Sequence, residues 1–140
     1  MSIKQHLKKY GYQVVVPTSR LVRHWWIRCL KEVFGYPSIR FLVPVTVDIR
    51  KQPDEWAACH WFNNMLHVTH HDEPISRYGL LTIICHEIAH AILVYEQRNG
   101  KAVHCEAFMA YAELVQRKTG LPFQDRYSND HIAALREKLK

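Results

Sequence analysis

At 140 residues, 48% of them apolar and 23% charged, the chain is long enough for one domain with its own core and too apolar for a disordered segment. Its formal net charge is +6, and all of the excess lies in residues 1–34, where seven Lys or Arg stand against Glu32 alone, while the rest balances twelve against twelve. Four dispersed cysteines form no C-x-x-C pair, which excludes a zinc ribbon. With no secretory leader visible in Met1 to Tyr12, they are expected to be reduced, buried thiols of a cytoplasmic, nucleoid-associated or nuclear-associated protein.

Residues 1–17 read as a basic N-terminal arm. From Thr18 to Phe34 the apolar residues Leu21, Val22, Trp25, Trp26, Leu30 and Val33 recur with a helical period, and Thr18 or Ser19 after Pro17 is the expected N-cap. The polar side of this helix carries Arg20, Arg23, His24, Arg28 and Lys31. Between Ile39 and Arg50 apolar and polar residues alternate, which predicts a half-buried strand, and Pro44 places it at an edge or bulge. Trp56 to Phe62 and Met65 to His70 flank Asn63-Asn64, a pair that tolerates the left-handed turn of a two-residue hairpin. On such a hairpin Ala57, Cys59, Trp61, Leu66, Val68 and His70 share one face. His60 and His67 oppose each other on the other face, close enough to share an ion, although two solvated histidines are the commoner outcome.

The segment Gly79 to Tyr95 is apolar nearly throughout and predicts a buried helix. It is shorter than a membrane span and carries ionisable groups at its centre. Those groups are His86-Glu87-Ile88-Ala89-His90, the H-E-x-x-H pattern. Residues four apart share a helix face, so His86 and His90 can offer two imidazole nitrogens to one ion, and Glu87 on the flank can serve as general base without being a ligand. Three such groups inside an apolar helix are costly unless a partner compensates them. A divalent cation compensates all three.

A hydrolytic zinc site takes three protein ligands. The candidates are His104, Glu106 and Glu113, in the segment Val103 to Lys118 that reads as the next helix, with the hairpin histidines as outsiders. At about 100° per residue, His104 falls on the face of Ala107, Phe108, Tyr111, Leu114 and Val115, whereas Glu106 and Glu113 fall opposite. The polar loop from Glu96 to Lys101, with its Asn99-Gly100 pair, turns the chain back so that His104 returns towards His90. A last helix is expected from about Asp130 to Leu139, capped by Asp130. Strands followed by helices indicate an α+β domain.

The succession His86-Glu87-Ile88-Ala89-His90, Ala-Ile-Leu-Val-Tyr, a polar turn with Gly100, His104, Phe108 and a helix ending at Gly120-Leu121-Pro122 resembles the SprT-like (Spartan-type) metalloprotease domain. The likeness covers about residues 18–122, leaving 1–17 as the arm and 123–140 as the C-terminal loop and helix of the same domain. It departs at Cys105, where the family usually has glycine after the third histidine, and in lacking a C-terminal zinc ribbon. The resemblance implies a zincin-like α+β fold with a small antiparallel sheet, Zn²⁺ held by His86, His90 and His104, and Glu87 as catalytic base. It also implies that the outer strand of the hairpin lies beside the metal helix and pairs with an extended protein or peptide substrate.

Spartan-type proteases act on DNA-bound proteins, so the basic N-terminal helix, with Arg20, Arg23, Arg28 and Lys31, is the expected place for non-specific, salt-sensitive nucleic-acid contact, its alternative role being a solubilising face. No membrane partner is expected. Tyr95 and Tyr111 are candidates to assist an oxyanion, and spacing selects neither. Two further readings stay open: a gluzincin-like, regulator-cleaving peptidase with Glu106 or Glu113 as third ligand, and a non-catalytic zinc-containing module that binds nucleic acid or protein.

Overall fold

The structure, a computed structural model, describes residues 1–35, 46–49, 57–62, 65–70, 73–95 and 106–121. These form an α+β arrangement of four helices and two small sheets.

The chain begins with α1 (Ile3–Tyr10), opened by a reciprocal cap in which Gln5 N–H donates to Ser2 Oγ at 3.1 Å and Ser2 N–H donates to Gln5 Oε1 at 2.9 Å. Ile3 and Leu7, one turn apart, are buried, and α1 packs against the third and fourth helices of the chain. The stretch expected as a basic arm therefore contains a docked amphipathic helix, with Lys4, Lys8 and Lys9 on its exposed side. Beyond it β1 (Val14–Val15) pairs antiparallel with β5 (Ile75–Ser76).

Helix α2 (Ser19–Glu32) starts where capping chemistry places it, with Leu21 N–H donating to Thr18 Oγ1 at 3.1 Å. Its apolar stripe of Val22, Trp25, Trp26, Cys29 and Leu30 is buried. Ser19 Oγ donates to the Val47 carbonyl at 2.6 Å, tying the start of α2 to the sheet.

That sheet has the order β2-β4-β3, built from β2 (Thr46–Ile49), β3 (Ala57–Phe62) and β4 (Met65–His70). Phe62 pairs with Met65 and Cys59 with Val68, the hairpin register expected from alternation around a two-residue connection. The wholly antiparallel sheet is corrected in one respect: β2 runs parallel to β4, with Thr46 opposite His67 and Ile49 opposite His70. Alternation marks a strand without naming its partner, and β2 pairs with the second arm of the hairpin rather than the first. Among the described residues this pairing leaves β3 at an edge of the sheet, packed against the helix that follows β5. The remainder of the strand expected over Ile39 to Arg50 lies outside the described residues.

Helix α3 (Arg77–Tyr95) begins two residues before its expected start. Gly79 N–H donates to Ser76 Oγ at 3.1 Å, while Arg77 and Tyr78 N–H donate to the carbonyls of Gln13 and Gly11 at 3.1 and 3.2 Å. The segment after α1 thus satisfies donors that a helix start leaves without intrahelical partners. Every residue from Leu80 to Ala89 is buried, with α1, α2, β3, β5 and α4 (Glu106–Thr119) packed around the helix. Among the described residues no helix is long and apolar enough to cross a membrane.

Helix α4 (Glu106–Thr119) stops at Gly120, whose φ of 76° lies in the left-handed region and whose N–H donates to the Gln116 carbonyl at 2.8 Å. Phe108 and Val115 are fully buried, and Leu121 folds under the helix end. At the centre of the core, Cys29 of α2 and Cys85 of α3 meet as free, fully buried thiols. The hydrogen bond to Cys85, then burial, push the Cys29 thiol well above its ordinary range. The expected helix from Asp130 to Leu139 lies outside the described residues.

Candidate metal centre

One turn of α3 brings His86 and His90 together, and their Nε2 atoms lie 3.1 Å apart. The rings are 4.8 Å apart between centroids and nearly perpendicular, at 73°. Two neutral imidazoles in this position share a proton, one donating and one accepting. The same position suits two ligands of one ion: nitrogens bound tetrahedrally at 2.0–2.1 Å from zinc stand about 3.3 Å from each other. The pair fits zinc in chemistry as well as in spacing, since imidazole nitrogen is one of its ordinary donors.

Glu87, between the two histidines in sequence, is 8% exposed and His86 is 7% exposed, whereas His90 is half-buried. The pair thus has one end in the core and one towards solvent, as a site that admits substrate requires.

The core-facing side of the pair is closed by Phe108. Its ring lies 5.0 Å from that of His86 and 4.5 Å from that of His90. Since Phe108 sits in the first turn of α4, the start of that helix is docked on the histidine pair. His104, the expected third ligand, lies four residues earlier and outside the described residues. Among the described residues no three His, Cys, Asp or Glu side chains come together as an ion site. Glu113, one of the alternative ligands, is exposed on the outer side of α4.

The chain matches no protein-family model and no curated protein at a significant level.

The remaining candidates are spread more widely. Tyr111, one turn beyond Phe108, is half-buried with its ring 5.5 Å from that of Phe34. The Tyr95 side chain lies outside the described residues. His60 is directly opposite His67 in the β3–β4 register, as the hairpin predicts, and His67 is half-buried.

Of the basic residues on α2, Arg20 and Lys31 are exposed and Arg23 is half-buried. Arg28 is engaged within the fold: its Nε and Nη2 donate to Glu32 Oε1 at 3.0 and 2.9 Å, Nη2 also reaches the Met1 carbonyl, and the guanidinium lies 5.2 Å from the Trp25 ring centroid. The exposed positive charge of residues 1–34 is therefore shared between α1, through Lys4, Lys8 and Lys9, and the outer side of α2. Sequence reasoning placed these lysines in a basic arm and missed that the arm is helical, although Ser2 and Gln5 spell its cap.

Proposed function

We propose that this chain is a zinc-dependent endopeptidase of SprT-like, zincin-like type. The observation that carries the reading is the convergence of His86 and His90 Nε2 at 3.1 Å, on a buried helix with Glu87 between them. The third ligand in this reading is His104, four residues before Phe108 in the sequence, whose ring touches both imidazoles.

In this reading His86, His90 and His104 hold the ion through their imidazole nitrogens. Bound zinc supplies Lewis acidity toward a carbonyl oxygen and makes a water acidic near neutral pH. Glu87 accepts the proton of the attacking water and delivers it to the departing amine, a role that suits a carboxylate flanking the histidine pair. The strand β3 packs against α3, which supports a role for its edge in pairing with the backbone of an extended peptide beside that helix. The exposed lysines of α1, with Arg20 and Lys31 of α2, are suited to phosphate contact, which favours nucleic-acid-associated proteins as substrates.

The test is Glu87→Gln. The variant is expected to fold and hold zinc as the parent does while cleavage of a denatured protein substrate, assayed with and without DNA, falls by at least ~100-fold. Cleavage at the parent's rate would overturn the reading.

A further inference from the structure

We infer that Phe108 is a positioning residue for the histidine pair, aiming both Nε2 atoms at one point before any ion arrives. The inference rests on the zinc reading and goes beyond it by assigning the orientation of the ligands to a side chain that can neither coordinate nor hydrogen-bond.

The geometry is that of three rings in mutual contact. Phe108 is fully buried. It meets His86 at a ring angle of 72°, edge to face, and His90 at 30°, closer to a stack. A histidine ring turns about its Cβ–Cγ bond with a broad, roughly two-fold preference, and half a turn replaces one ring edge with the other. For His86, surrounded by core, packing already restricts that turn. His90 is half-buried, and its ring is held both by the Nε2 contact with His86 at 3.1 Å and by the aromatic ring of Phe108 4.5 Å away. A flat ring packed against its neighbour at an inclination of 30° opposes rotation of that neighbour, whereas an aliphatic side chain of similar size leaves room for it. Because Phe108 belongs to α4 and the pair to α3, the contact also couples the docking of α4 to the aim of the ligands.

The experiment compares the parent with Phe108→Leu, Phe108→Tyr and Val115→Ala, the last removing fully buried volume from the same helix two turns further on. Zinc affinity is measured by competition with a chromophoric chelator, and the imidazole nitrogen shifts of His90 are read by NMR in the metal-free chain. Phe108→Leu is expected to weaken zinc binding roughly 10- to 100-fold, the range seen when a group that orients a metal ligand is removed, and to move the His90 shifts towards averaged tautomers. Phe108→Tyr, which keeps the ring, should restore most of the affinity, and Val115→Ala should lower stability without weakening zinc binding. Parent-like affinity and shifts in Phe108→Leu would overturn the inference while leaving the zinc reading intact, as would a loss of affinity in Val115→Ala equal to that in Phe108→Leu. A parent chain that binds no zinc would instead overturn the zinc reading, and the metal-free shifts would still decide whether Phe108 orients the ring.

Discussion

Arg77 Nη1 lies 3.0 Å from Nε2 of His6, so the first residue of α3 is bonded to a side chain of the N-terminal helix. His6 also packs against Trp25 and Tyr10, at ring distances of 4.7 and 5.1 Å. An arginine only donates, which makes His6 Nε2 the acceptor and the ring neutral. Burial, then the charges of Arg77, Arg28 and His24, hold the His6 pKa below its ordinary 6.5.

The folded chain therefore binds fewer protons at His6 than the unfolded chain, and this contribution to stability is present above pH 6.5 and lost as pH falls from there towards the depressed folded value. Urea unfolding at a series of pH values should show a loss of stability on acidification that is smaller in His6→Phe. An identical slope in parent and variant would remove His6 from this role.

Trp26 is fully buried at the centre of α2. Replacing it by Ala is expected to cost about 3–5 kcal/mol, from lost transfer energy and the cavity left behind. A shift in the urea midpoint at unchanged slope would measure it.

Gly11 leaves no room for a side chain: a β-carbon there would collide with the ring of Tyr78 and the carbonyl of Leu7. Its own carbonyl accepts from Tyr78 N–H, at the start of α3. Gly11→Ala should destabilise by about 1–3 kcal/mol, the cost of overpacking, with the first turn of α3 losing hydrogen-exchange protection before its centre.

Cys29 and Cys85 are fully buried, and their neighbours disfavour the thiolate at Cys29. Thiols in such surroundings are inert. Brief treatment of the native chain with an alkylating reagent, followed by peptide mapping, should leave both unmodified, and denaturant should expose them together.

Much of this arrangement was legible because local chemistry and tertiary burial agree. Thr18 caps α2 and the stripe from Val22 to Leu30 turns inward; the hairpin alternates around two asparagines; and α3 is apolar because it is buried on nearly every side. At the candidate site the H-E-x-x-H spacing alone places His86 and His90 on one face. Other features have weaker or non-local signatures. Helix α1 contributes only Ile3 and Leu7 to the core, so its lysines dominate the composition of residues 1–17 and hide an S-x-x-Q cap. The parallel pairing of β2 with β4 and the two-residue pairing of β1 with β5 join distant segments, and no alternation within either strand specifies the partner. Phe108 was legible as an inward residue of α4, but its contact with both imidazoles depends on how α4 docks against α3.

The most direct measurement is the zinc content of the purified chain after removal of loosely held metal, alongside His86→Ala, His90→Ala and His104→Ala. One zinc per parent chain, with retention abolished in the first two variants and sharply weakened in the third, is the expected result. A folded parent that holds no zinc, or variants that retain it as the parent does, would contradict a metal centre built on His86 and His90.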